Sequence, residues 1–184
     1  MSEAFMYEVG SFIKDNRNPT KWDIMFFKEA ILWRENSHDN QTQCGCVLVK
    51  DKTSISTGYN GFIRDINDEV LPRTRPQKYP FMIHAEANAI YNSVRLGRST
   101  LNSTAYITGA PCLNCLQMLY QCGVYDIRFT DVSKIKMDIF SEEYLSIIKL
   151  IKDKISMSFT PQNLILKGDS NVQAEQRKNQ SFRF

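Results

Sequence analysis

Long apolar runs are missing from this chain. Nowhere in its 184 residues does the sequence approach the roughly 18 consecutive apolar positions of a membrane-spanning helix. A strong charge of one sign is missing too: 23 Lys and Arg stand against 20 Asp and Glu, a net +3. That excess is too small to argue for a duplex nucleic acid partner, though it suits a small anionic ligand held by a few local cations. The opening MSEAFMYEVG has Glu3 and Glu8 and no Lys or Arg, the reverse of a secretory leader. Histidine is scarce, with two in all, and cysteine comes to an odd five. An odd count without a leader makes a poor disulfide framework. It points to metal or thiol chemistry in a reducing compartment, with the cytoplasm as the expected location. Internal repeats and low-complexity blocks are absent as well.

What is present reads as one ordinary globular domain. An apolar fraction of 42% with 23% charged residues excludes wholesale disorder, and the length suffices to bury a core without staples. Thr20-Lys-Trp-Asp23 fits a capping box, and Trp22, Phe26, Ala30 and Trp33 follow at helical spacing, which predicts a helix over about 20–36. Cys44–Val49 and Ser54–Gly58, with Asp51-Lys52 between them, read as a β-hairpin. Residues 59–82 form a long connection rich in proline and mixed charge, a length often tied to function. A helix is expected from His84 to Leu96, a strand over Thr104–Thr108, a helix from Cys112 to Cys122, and a strand over Asp126–Thr130. Ser141-Glu-Glu opens a further helix, followed by a short strand over Ile155–Phe159. This order implies one α/β domain over 1–166 with a polar, loose tail over 167–184.

Cys112-Leu-Asn-Cys115 alone could be a redox pair, half a zinc site, or neither. Its place at a helix start after Pro111 puts both sulfurs on one face and favours thiolate. A lone histidine is usually structural, but His84 lies two residues before Glu86, also at a helix start. His84, Cys112 and Cys115 would give zinc three protein ligands, and an open fourth position marks a catalytic rather than a structural site. Glu86 is then near enough to move protons without binding the metal. The set matches the H-x-E…P-C-x-x-C signature of zinc nucleobase deaminases.

His84-Ala-Glu-Ala-Asn-Ala-Ile90 with Ala110-Pro-Cys-Leu-Asn-Cys115 resembles the cytidine deaminase superfamily. Thr57-Gly-Tyr-Asn-Gly61, followed by Phe62, Arg64 and Lys78-Tyr79, resembles its deoxycytidylate (dCMP) deaminase branch, over about residues 22–130. The resemblance implies a three-layer α/β/α sandwich around a mixed sheet of about five strands. It implies hydrolysis of dCMP to dUMP and ammonia, feeding dTMP synthesis, with catalytic Zn²⁺ and usually a homohexamer. It carries over His84, Cys112 and Cys115 as zinc ligands and Glu86 as proton carrier. Asn60, Ala85, Ala110, Pro111 and Lys78 are expected around the substrate. The loop with Tyr59, Asn60, Gly61 and Arg64 is expected to hold a regulatory triphosphate with Mg²⁺, dCTP as activator and dTTP as inhibitor. Arg64, Arg73, Arg75 and Lys78 are the cations that could face its phosphates.

Three positions depart from the relatives. Ile63 and Asp65 replace a proline and a glycine after the loop, and Ser133 stands where some relatives place a phosphate-contacting tyrosine, with Lys134 or Lys136 as substitutes. Cys44, Cys46 and Cys122 read as packing residues, His38 as a solvated loop residue, and the Trp22–Trp33 aromatics as core or subunit contacts. Two other readings remain: a deaminase of another cytosine or adenine substrate, including a base in RNA or DNA, and a non-catalytic zinc module. The first would want a stronger basic surface than +3, and the second leaves Glu86 unexplained.

Overall fold

A computed structural model describes residues 3–39, 41–130 and 141–166. Alternation along the central strands decides the layers. In β2 (Gly45–Lys50), Val47 and Val49 face one side and Cys46 and Leu48 the other, so both faces of the strand are buried. Helix α2 (Lys21–Arg34) covers the first face with Phe26, Phe27 and Ala30, packed with Tyr106, and Ile165 from the helical residues 162–166 completes that cluster. The second face is covered by α3 (Ala85–Arg95), α4 (Leu113–Gln121) and α5 (Glu142–Ile151), which bury Ala89, Leu116, Leu119, Tyr144 and Ile148 against it. This is the expected three-layer sandwich.

The hairpin of β2 and β3 (Thr53–Tyr59) is antiparallel, with a register shift between Leu48 and Val49. β2 also pairs antiparallel with β4 (Thr104–Ile107). Beyond β4 the sheet is parallel, through β5 (Asp126–Phe129) and β6 (Ser156–Phe159) to β1 (Ile13–Asp15), in the order β1-β6-β5-β4-β2-β3. The sheet therefore has six strands, not about five. The extra one is β1, preceded by α1 (Glu3–Ser11). Three residues are too few to display a period, and the register of β1 comes entirely from pairing with β6 at the far end of the chain. The expected tail over 167–184 and the residues Ser133, Lys134 and Lys136 lie outside the described residues.

The capping box forms as expected: Thr20 Oγ1 accepts from the Asp23 N–H at 3.2 Å, and Asp23 accepts from the Thr20 N–H at 2.8 Å. Asp23 has a second function that local sequence does not reveal. Its buried carboxylate also accepts from the Tyr106 hydroxyl at 2.9 Å and pairs with Arg128, so the start of α2 is pinned to β4 and β5.

Candidate active site

Two glycines let the elements close on the site. A Cβ on Gly58 would stand 2.3 Å from the Ala85 carbonyl oxygen and 2.4 Å from the Ala89 nitrogen, so only glycine lets β3 touch the first turns of α3. A Cβ on Gly45 would sit 2.1 Å from the Ala30 oxygen, which brings α2 equally close to β2. Asn88 and Asn92 add side-chain bonds from α3 to the Tyr59 and Thr57 carbonyls, each 2.8 Å. The long connection begins and ends on itself. Gly61 and Ile83 exchange backbone bonds of 3.1 and 2.8 Å, which delivers His84 beside Asn60 as the N-cap of α3.

Cys112 is the N-cap of α4, and Cys115 lies one turn further on. The buried Tyr144 hydroxyl of α5 donates to the Pro111 carbonyl at 3.1 Å and holds that helix start in place. His84 Nδ1 is then 3.5 Å from Cys112 Sγ and 3.4 Å from Cys115 Sγ. All three donor atoms lie within 4.8 Å of one another. With Zn–N near 2.0 Å and Zn–S near 2.3 Å, a tetrahedral ion separates its N and S ligands by about 3.5 Å. The three side chains therefore fit zinc in both donor chemistry and spacing.

The electrostatics follow from crowding. A bond from the Cys115 thiol, reinforced by His84, holds the Cys112 thiol down to about 4, and Cys115 is correspondingly raised. The bond to Cys112 raises His84. Glu86, at 4% exposure, sits beneath the donors, and burial pushes its carboxyl up. A carboxyl group balanced in this way is suited to taking up and releasing a proton.

His84, Glu86 and Cys112 lie in the wall of a cavity of about 500 Å³, a size that suits a small-molecule ligand. Ala85, Ala110, Asn60 and Lys78 line it, and Pro111 is buried. Asn60 lines it with its amide fully engaged. Oδ1 accepts from the Ser37 hydroxyl and the Cys44 N–H at 2.8 and 2.6 Å, and Nδ2 donates to the Thr42 carbonyl at 2.5 Å and to Asp39 at 3.3 Å. Lys78 is buried, and both Asp39 carboxylate oxygens accept from it at 2.5 Å. The expected loop residues do not share one place. Tyr59 stacks on Trp33 with ring centroids 6.4 Å apart, while exposed Arg64 donates to Asn92 at 2.7 Å on the outer side of α3.

Residues 37–44 were missed as a site segment. Ser37 and Asp39 are buried around Asn60, Thr42 and Gln43 line the cavity, and Cys44, expected only to pack, lines it too. Burial pushes the Cys44 thiol up to about 12, and Thr108 donates to its sulfur at 3.4 Å. His38 is not solvated as expected: its ring lies parallel to Phe62 at 6.2 Å and edge-on to Tyr59. A run of polar residues between a helix and a strand looks like loop, and nothing local marks Asp39 as the partner of Lys78, 39 positions away.

The family model for the cytidine and deoxycytidylate deaminase zinc-binding region matches residues 20–130. The chain belongs to that family. The matched region contains the donor cluster at His84, Cys112 and Cys115. Among curated members, a "Probable deoxycytidylate deaminase" of Caenorhabditis elegans is 37% identical over 123 residues, 64% of this chain and 61% of that protein. Human deoxycytidylate deaminase is 30% identical over 116 residues, 59% of this chain and 64% of that protein. The chain thus spans between 61% and 64% of the length of these two relatives. In fold it is similar to the dCMP deaminase of cyanophage S-TIM5, solved in complex with dCMP and dUMP. The TM-score is 0.63 at 19% identity, covering 78% of this chain and 99% of that one.

Proposed function

We propose that this chain hydrolyses dCMP to dUMP and ammonia, with His84, Cys112 and Cys115 holding zinc and Glu86 carrying the proton. One observation carries the reading: three zinc donors at tetrahedral spacing stand over a buried carboxyl group at the wall of a ligand-sized cavity. Family membership and the dCMP deaminases among its relatives support the choice of substrate. Bound there, zinc supplies a Lewis acid that makes water nucleophilic near neutral pH. Glu86 takes a proton from the attacking water and passes it to ring N3. It then takes the second proton from the oxygen now bonded to C4 and delivers it to the amine, which leaves as ammonia as the C4 carbonyl forms. Ala85 and Ala110 line the cavity and would border the ring.

The test is zinc content together with turnover on dCMP, deoxycytidine and a cytosine in duplex DNA. One zinc per chain and a strong preference for dCMP are expected. A protein that binds zinc but releases no ammonia from any of them overturns the reading.

We further propose regulation by dCTP and dTTP with Mg²⁺ in the connection 59–79, within a homo-oligomer, a hexamer by family resemblance. The loop motif at Tyr59-Asn-Gly61 and the cations Arg64 and Arg73 support this. So do the exposed apolar side chains of Tyr91, Val94 and Leu96 near the end of α3. Tyr59 and Arg64 would have to exchange their present partners, Trp33 and Asn92, for a nucleotide. Titrating each triphosphate against the dCMP saturation curve, with the mass measured by light scattering, tests both. A monomer with a hyperbolic curve unmoved by either rejects them.

A further inference from the structure

We propose that Arg75 is the residue that recognises the 5′-phosphate of the substrate, making the cavity selective for a nucleotide over a nucleoside. The proposal rests on reading this cavity as the substrate site of a cytosine deaminase, and it assigns a residue that the sequence had placed with the regulatory loop.

The argument is one of charge and unmet bonds. Arg75 and Lys78 are the two Lys or Arg side chains lining the cavity among the described residues. Lys78 is committed, since both oxygens of Asp39 accept from it, and that pair is neutral as a unit. Arg75 has no carboxylate partner among the described residues. One terminal nitrogen donates to the Thr42 hydroxyl at 2.6 Å, and its Nε–H is buried with no hydrogen-bond partner among the described residues. A buried guanidinium donor left unmet is costly unless a ligand completes it. The planar fork of guanidinium suits two oxygens of a phosphate in a way a lysine does not.

The surroundings fix the fork in place. The Arg75 N–H donates to the Gln41 side-chain oxygen at 2.9 Å. Asp39 accepts from the Gln41 and Thr42 N–H groups at 2.8 and 2.9 Å, so the residues that hold Arg75 are themselves braced by the Asp39–Lys78 pair. The Lys78 N–H reaches the Thr74 carbonyl at 3.0 Å and closes the segment carrying Arg75 into a turn. Lys78 thus positions, and Arg75 binds.

The experiment compares zinc-loaded wild type and Arg75→Gln on dCMP and on deoxycytidine. The variant is expected to lose about 10- to 100-fold in kcat/KM for dCMP, mainly through KM, while deoxycytidine stays within about twofold. Equal losses on both substrates, or no loss on dCMP, overturn the assignment. A wild type inert toward both substrates overturns the deaminase reading and this one with it. A second measurement needs neither turnover nor a variant that folds: labelling of wild type with an arginine-specific dicarbonyl, read at Arg75 by peptide mass spectrometry. Protection by dUMP but not by deoxyuridine is expected. Equal protection by both, protection by neither, or protection by inorganic phosphate matching that of dUMP overturns the nucleotide assignment.

Discussion

In the proposed reaction Glu86 and the two cysteines carry separate parts of the chemistry, so their variants should fail in different ways. Glu86→Gln keeps the shape of a side chain that does not ligate the metal, so zinc should stay at one per chain. Turnover should drop by about 10²–10⁴-fold or more, because the amide cannot take up and return a proton. Metal analysis beside a steady-state assay separates the two, and near-normal kinetics would assign the proton transfers to another group. Cys112→Ala and Cys115→Ala remove one of three donors each, so metal and activity should be lost together. Full zinc content in both variants would refute the ligand assignment.

At the scale of elements, the close contact of β3 with α3 is the feature most exposed to test. Gly58→Ala drives a methyl group into the backbone of Ala85 and Ala89, which cannot rotate away as a side chain would. A loss of about 3 kcal/mol in urea-unfolding stability is expected, with zinc affinity weakened because His84 caps the displaced helix. The brace between segments 37–44 and 72–83 is the buried Asp39–Lys78 pair, the side chains 4% and 2% exposed. Lys78→Met leaves a buried carboxylate without its partner and should cost about 3–5 kcal/mol, whereas Asp39→Asn with Lys78→Met together should cost clearly less. Equal destabilisation by the single and double variants would show that the pair does not act as a unit.

For the whole molecule, acid stability follows from two buried carboxylates. Burial opposes the ionisation of Asp39, but bonds from Lys78 and from the Gln41 and Thr42 N–H groups prevail and lower its pKa. Burial likewise opposes Asp23, and bonds from Thr20 and Tyr106, with Arg128 close by, lower it. Each folded carboxyl group therefore binds a proton less readily than its unfolded counterpart. The stability they contribute is complete above the unfolded value of about 3.9 and is lost as pH falls through the lower folded values. Urea midpoints should be insensitive to these two groups between about pH 7 and 5 and fall below about pH 4. The Asp39→Asn, Lys78→Met double variant should show a shallower acid decline, and an unchanged decline would remove Asp39 from the account. No helix among the described residues is long and apolar enough to cross a membrane, as the lack of long apolar runs implied.

Local features of the sequence determined what depends on neighbours along the chain. His84 and Cys112 are legible as site residues because each begins a helix, and a helix start places positions one turn apart on one face regardless of what packs around it. The hairpin at Asp51-Lys52 and the capping box at Thr20 were readable for the same reason: turn and cap chemistry act within four residues. Tertiary structure alone decided the sixth strand, whose three residues take their register from the far end of the chain, and the polar wall around Asn60. It also decided that Lys78 is paired with a carboxylate and that, among the described residues, Arg75 is not. An isolated lysine and an isolated arginine in a loop look alike as cations. Only the fold brings a carboxylate to one of them and leaves the other facing the cavity, because charge pairing depends on distances in space that spacing along the chain does not encode.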